Sequence, residues 1–138
     1  MMTNKILIID EEKWYMEAIF DRIDVDFGSN MYDYVFNGAE ALKLLKSNSY
    51  STIILDMMLP LGDGLDLPPN EPDLMYGIYI LRKIREFDNR TPIICYTVLN
   101  EMSIKQQINS YHAIHICKVD EESYDKLFKE LKRLNKSK

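Results

Sequence analysis

Four apolar runs of this chain each stop at a side chain that can handle phosphate or a metal ion. KILIID (5–10) closes on Asp10, TIILD (52–56) on Asp56, PIICYT (92–97) on Thr97 and AIHICK (113–118) on Lys118, and Glu11 adds a carboxylate directly after Asp10. Carboxylates gathered within a few ångström repel one another, and removal from water sharpens the repulsion. A hard divalent cation relieves it. Magnesium suits such a cluster because it takes few carboxylates, keeps several waters and accepts a phosphate oxygen. A lysine ammonium offers a point charge for another phosphoryl oxygen, a threonine offers a hydroxyl, and backbone N–H groups after Asp56 can take a third oxygen. Held together, such groups stabilise a phosphoryl group in transit. Taken singly, each has a plainer role: Asp10 as a turn residue or helix cap, Thr97 as a cap for the next helix, Lys118 as a lysine whose stem lies along apolar surface. Complementary groups at the ends of separate runs shift the balance toward chemistry.

The runs are short and β-branched or apolar throughout, which predicts strands of a parallel sheet covered on both faces. A more mixed run at 31–36 predicts an edge strand. Between the runs, Met16, Ile19, Phe20 and Ile23 recur at the spacing of one helical stripe. So do Gly77, Ile80, Leu81 and Ile84, and again Tyr124, Leu127, Phe128 and Leu131. Shorter helical segments fall at 39–48 and 101–111. Strand then helix, five times over, predicts an α/β domain with a mostly parallel sheet. All carboxyl ends of such a sheet point to one edge, where ligands bind, so Asp10, Asp56, Thr97 and Lys118 converge there. One segment breaks the rhythm: 61–75 carries Pro68, Pro69 and Pro72 with Gly62 and Gly64, and predicts a long loop before the third helix.

At 138 residues and 46% hydrophobic, the chain reads as one globular domain, 1–138. Its 17 basic against 22 acidic residues give a net charge of −5. That balance argues against nucleic-acid binding, which draws on clustered cations. The basic stretch of Lys132, Arg133, Lys136 and Lys138 reads as a helix end whose cations complement the macrodipole. Cys95 and Cys117 lie in apolar runs without metal-type spacing, so a disulfide framework is not expected. The start, MMTNK, leads into an apolar run too short for a signal peptide or a membrane span. A cytoplasmic protein with no membrane association is the expectation.

In these residues the chain resembles the receiver domain of bacterial response regulators, the single-domain type of two-component signalling, over essentially its whole length. The likeness runs through ILIIDEE with Asp10 and Glu11, IILDMMLP with Asp56, IICYT with Thr97, ICK with Lys118, and GIYILRKIR from Gly77. It implies a flavodoxin-like three-layer α/β sandwich, with five parallel strands in the order 2-1-3-4-5 and five helices. It implies further that Asp56 is the phosphoacceptor and that Glu11 and Asp56 bind Mg2+ directly, with Asp10 close by through water and the Met58 backbone carbonyl as another ligand. Lys118 would bind phosphate, and Thr97 and His115 would be the switch residues.

Several positions depart from the family pattern. Glu11 stands where a second Asp is usual, His115 where an aromatic switch residue is common, and Val98 where a small residue follows the switch threonine. Val119 replaces a proline typically joined through a cis bond; a non-proline cis bond costs about 3 kcal/mol, so a trans link is expected. The 61–75 loop adds roughly a dozen residues. Both Gly62-Asp63-Gly64 and Met75-Tyr76-Gly77 imitate the family's Asp-Gly turn, and the helical stripe favours Gly77.

The implied function is a phosphoacceptor module of a two-component or phosphorelay system. A histidine kinase or phosphotransfer protein donates to Asp56, and the switch alters a protein-interaction surface. A downstream protein target, or a second copy in a homodimer, would meet the fourth helix, fifth strand and fifth helix at 101–135. The chain would be no enzyme beyond its own phosphorylation and dephosphorylation. The alternative is a receiver-like protein-binding module that works without phosphorylation, supported by Val98, Val119 and the long loop. An aspartyl phosphatase fits less well, because Met58 stands where such an enzyme needs a second acid.

Overall fold

The computed structural model describes residues 5–63 and 76–136. Ten elements alternate along it: β1 (Ile6–Ile9), α1 (Lys13–Phe27), β2 (Tyr32–Val35), α2 (Gly38–Ser47), β3 (Thr52–Leu55), α3 (Gly77–Phe87), β4 (Ile93–Thr97), α4 (Met102–Ser110), β5 (Ile114–Cys117) and α5 (Ser123–Lys136). Every strand pairing is parallel, in the order β2-β1-β3-β4-β5. This is the expected flavodoxin-like sheet, with the mixed run as the β2 edge. Of the long 61–75 loop, residues 64–75 lie outside the described residues.

Alternation along the strands sorts the core into two layers. Ile6, Ile8, Ile54, Ile94 and Ile116 pack with Met16, Ile19, Phe20 and Ile23 of α1 and Leu127, Phe128 and Leu131 of α5. Leu7, Ile9, Ile53, Leu55 and Cys95 face the other way, toward Leu42 and Leu45 of α2, Ile80, Leu81 and Ile84 of α3, and Ile108 of α4. Helices on both faces explain why the strands are apolar throughout and do not alternate with polar residues. Both cysteines are buried and free. Among the described residues no helix is long and apolar enough to cross a membrane. Lys132 pairs with Asp26 at 3.3 Å and Arg133 with Glu130, so these two cations of the basic stretch are engaged on the protein's own surface.

Two features fix α3 against its neighbours. Arg85 is buried, and its guanidinium donates to the carbonyls of Tyr111 (2.8 Å), Thr91 (2.9 Å), Asp88 (3.0 Å) and His112 (3.2 Å). It thereby joins α3, the approach to β4 and the far end of α4. Burial pulls this guanidinium below the ordinary arginine value. At the other end of α3, the Gly77 N–H donates to the Met57 carbonyl at 2.9 Å. A Cβ on Gly77 would stand 2.2 Å from the Met57 Cα and 2.5 Å from the Asp56 carbonyl oxygen. Only glycine lets the helix come this close to the end of β3, so the helical stripe placed the turn correctly at Gly77. The clash is with backbone, which cannot step aside. Gly77→Ala is expected to lower stability by about 2–3 kcal/mol, the upper part of the range for overpacking, as read by urea unfolding. A variant as stable as the parent would contradict the docking of α3 described here.

Candidate functional site

The hydrogen-bond ladder sets the height at which each strand-end residue leaves the sheet. Ile9 is level with Leu55, so Asp10 and Asp56 follow side by side on neighbouring strands. The Asp10 N–H donates to the Val35 carbonyl (3.1 Å) and the Asp56 N–H to the Ile9 carbonyl (3.0 Å). Leu55 is level with Cys95, and Cys95 with His115. Lys118 therefore leaves β5 two residues beyond the level of Asp56, with β4 in between, about 10 Å across the sheet. A short side chain would not span that gap. The lysine does: its Nζ lies 2.6 Å from Asp10 Oδ2 and 3.0 Å from Asp56 Oδ2, and none of the three side chains is more than 4% exposed.

The plainer turn role holds at the same time for Asp10, whereas Thr97 does not cap α4, whose N-cap is Glu101, and Lys118 is buried and not on the surface. Asp10 Oδ1 accepts the Glu12 N–H (2.8 Å), Asp56 Oδ1 the Met58 N–H (3.1 Å), and Thr97 Oγ1 the Leu99 N–H (3.4 Å). Each is a local turn closed two residues on. For the acids this occupies one oxygen and leaves the other to Lys118. Thr97 is fully buried, and its carbonyl accepts the Lys118 N–H at 2.8 Å.

Two carboxylates against one ammonium leave an excess of negative charge. Burial lifts the Asp10 carboxyl above its usual range; Lys118 pulls against this and the Asp56 charge adds to it. Burial also works against the Lys118 ammonium, but Asp56 and Asp10 outweigh it and hold the lysine above its ordinary value.

The remaining expected residues stand outside this charged contact. Glu11 and Met58 are exposed. Among the described residues, no three carboxylate, histidine or cysteine groups are gathered into a metal cage. His115 donates from Nε2 to the Leu99 carbonyl at 2.8 Å and so grips the loop after β4. Val98 and Val119 are exposed. No described peptide bond is cis, so the Lys118–Val119 link is trans, as expected.

Other residues line the site that sequence reasoning does not single out. The Tyr34 hydroxyl donates to the Asp10 carbonyl at 2.5 Å. The Lys118 ammonium lies 4.9 Å from the Tyr15 ring centroid and 5.7 Å from that of Tyr96. Ser123 Oγ donates to the Lys118 carbonyl at 3.1 Å. The only signal in the sequence is its nine tyrosines, since a buried tyrosine must find a partner for its hydroxyl. Spacing does not say which of them meet the lysine.

No protein-family model matches the chain. The transcriptional regulatory protein CiaR of Streptococcus pneumoniae is 30% identical over 101 residues, which cover 73% of this chain and 38% of CiaR. The transcriptional regulatory protein SrrA of Staphylococcus aureus is 34% identical over 107 residues, covering 72% of this chain and 35% of SrrA. The chain thus spans well under half the length of either relative. Among solved structures, the receiver domain of the Francisella response regulator 1452 is 26% identical, with a TM-score of 0.69 and 98% of both chains covered. The chain is a response regulator receiver domain.

In this receiver domain the charged pocket carries a pH signature. The folded value of Asp10 is raised, so its stabilising contribution is complete below about 3.9, the ordinary carboxylate value, and is lost as pH rises through the raised value. Ionised Asp10 therefore weighs against the metal-free fold at neutral pH. Compared with wild type, Asp10→Asn is expected to lose less unfolding free energy as pH rises from the carboxylate range to neutrality. Urea denaturation in magnesium-free buffer over a pH series measures this, and parallel profiles for the two proteins would remove Asp10 as the cause.

Proposed function

We propose that this receiver domain takes a phosphoryl group onto Asp56 from the phosphohistidine of a histidine kinase or phosphotransfer protein, with Mg2+, and displays the result on a protein-interaction surface. The reading rests above all on one ammonium, Lys118, shared by two buried carboxylates from separate strands. A buried charge cluster of this kind gains little stability over apolar packing, and perturbed groups at a sheet edge are the mark of chemistry. Asp56 supplies the nucleophilic oxygen. Its attack forms a P–O bond as the P–N bond to the donor imidazole breaks, and the imidazole leaves with the electron pair. Lys118 is placed to face the charge on the incoming phosphoryl oxygens. The pocket module turns over nothing but its own acyl phosphate.

The donor set fits magnesium, being made of oxygens with an unmatched negative charge. Glu11 and Asp56 would hold the ion, with Asp10 close by through water and the Met58 carbonyl as another ligand, as the family resemblance implies. Bound there, Mg2+ would neutralise charge on the phosphoryl oxygens. The two free, buried thiols suit a reducing compartment, the cytoplasm.

Leu99 offers a route outward. Thr97 Oγ1 holds its N–H while His115 holds its carbonyl. A Thr97 hydroxyl that turns toward a phosphoryl oxygen gives up the first hold and frees the loop leading into α4. The face built from α4, β5 and α5 would carry that change to a downstream protein target or to a second copy. On the donor side, the chain presents an exposed apolar side chain after each of the five strands: Trp14, Phe36, Met58, Val98 and Val119. Exposed aromatic and methionine side chains of this kind are enriched where proteins meet, which suits a protein donor.

Acetyl phosphate with Mg2+ is expected to add one phosphoryl group, seen by intact-mass spectrometry. Asp56→Asn and chelation of the metal should each abolish the gain. No gain in the wild type would favour the protein-binding module that works without phosphorylation, and a gain that survives Asp56→Asn would move the acceptor elsewhere.

A further inference from the structure

The position of the Lys118 ammonium is decided by residues that touch neither carboxylate. Lys118 is the first residue after β5, and its N–H is still in the ladder, donating to the Thr97 carbonyl. Its carbonyl has left the ladder, and Val119 beyond it is 71% exposed. Two hydroxyls take that carbonyl in: Ser123 Oγ at 3.1 Å from the first turn of α5, and the Tyr15 hydroxyl at 3.4 Å from the first turn of α1. The Tyr96 hydroxyl, from β4, lies 3.4 Å from Ser123 Oγ and closes the ring of contacts. At the other end of the side chain, the ammonium stands over the faces of the Tyr15 and Tyr96 rings. Both distances fall within the range where a ring face attracts a cation, and the attraction grows when water is excluded. Among the described residues, Tyr15 is the one that holds Lys118 at both ends, by hydroxyl at the backbone and by ring at the charge.

A lysine side chain has four rotatable bonds and no rigid fork, so it does not stay in place by itself. Phosphoryl transfer depends on groups held to within about an ångström. We propose that Tyr15, backed by Ser123, is a positioning residue for Lys118 in the receiver domain's phosphoryl transfer. Tyr15 keeps the ammonium between Asp10 and Asp56, and the two hydroxyls fasten the peptide from which the side chain springs. The proposal rests on the reading of Asp56 as phosphoacceptor. It differs from a packing role because Tyr15 is 36% exposed and contributes little to the core.

The test uses Tyr15→Leu, which removes ring face and hydroxyl, Tyr15→Phe, which keeps the face, and Ser123→Ala with Ser123→Thr as its conservative rescue. Two measurements are made on each. The first is the initial rate of phosphorylation by acetyl phosphate at saturating Mg2+, alongside the Mg2+ affinity from calorimetry. Tyr15→Leu should react about tenfold more slowly, as loss of a desolvated ring–cation contact predicts. Tyr15→Phe should retain most of the rate, and Ser123→Thr should recover what Ser123→Ala loses. Mg2+ affinity should not change in any of them, because Glu11, Asp56 and Asp10 are intact. The second is the lysine ammonium signal in proton–nitrogen NMR of the unphosphorylated protein, assigned by its absence in Lys118→Met. It should be present in wild type and Tyr15→Phe and lost in Tyr15→Leu. A Tyr15→Leu protein that keeps this signal, or that reacts at the wild-type rate, overturns the proposal, as does a fall in Mg2+ affinity that parallels the rate. A wild type that takes up no phosphoryl group sinks the phosphoacceptor reading instead, and the ammonium signal still decides whether Tyr15 positions the lysine.

Discussion

Keeping one ammonium between two carboxylates out of water is costly unless the remaining lone pairs and protons are engaged. That requirement organises the upper edge of this molecule. Asp10 and Asp56 each give one oxygen to a backbone N–H two residues on and the other to Lys118, so neither acid leans on the lysine alone. The lysine in turn leans on aromatic faces and has its carbonyl closed by hydroxyls. Coulomb attraction and desolvation are opposing and similar in size at such a site. Geometry decides the outcome, and geometry comes from the sheet.

The sheet supplies it through order and level. β1 and β3 must be neighbours for the acids to stand side by side, and β5 must lie beyond β4 for a long side chain to be the one that reaches them. Apolar strands covered on both faces make that order rigid, since a slip of one residue would exchange the two core layers. The glycine at the start of α3 belongs to the same scheme. Its close approach to the peptide after Asp56 lets the helix brace the end of β3 directly, through a hydrogen bond from backbone to backbone.

Much of this was legible in the sequence, for physical reasons. Strand runs buried on both faces are apolar without interruption, and helices that cover a sheet carry one apolar stripe, so both periods could be read. The strand-end residues could be placed because parallel order sends all carboxyl ends to one edge. What could not be read depends on contacts between elements. That Tyr15 and Ser123 meet at the Lys118 carbonyl follows from the packing of α1 and α5 on one face of the sheet, not from spacing within either. Adjacency in the sequence places Glu11 beside Asp10, and the turn closed by Asp10 leaves the Glu11 side chain exposed. His115, expected as a switch, binds the Leu99 carbonyl in the loop after β4, a contact set by the register of β5 beside β4.

Arg85 has a bearing on how movement would spread. Its guanidinium ties the carboxyl-terminal end of α4, through the Tyr111 and His112 carbonyls, to the Asp88 and Thr91 carbonyls at the approach to β4. The opposite end of α4 follows a loop held by neutral hydrogen bonds at Val98 and Leu99. A helix held at its far end by a buried guanidinium and at its near end by the neutral bonds of a loop is a lever with a built-in fulcrum. Displacement of α4 is then a swing about its carboxyl terminus, widest next to the pocket and smallest at Arg85.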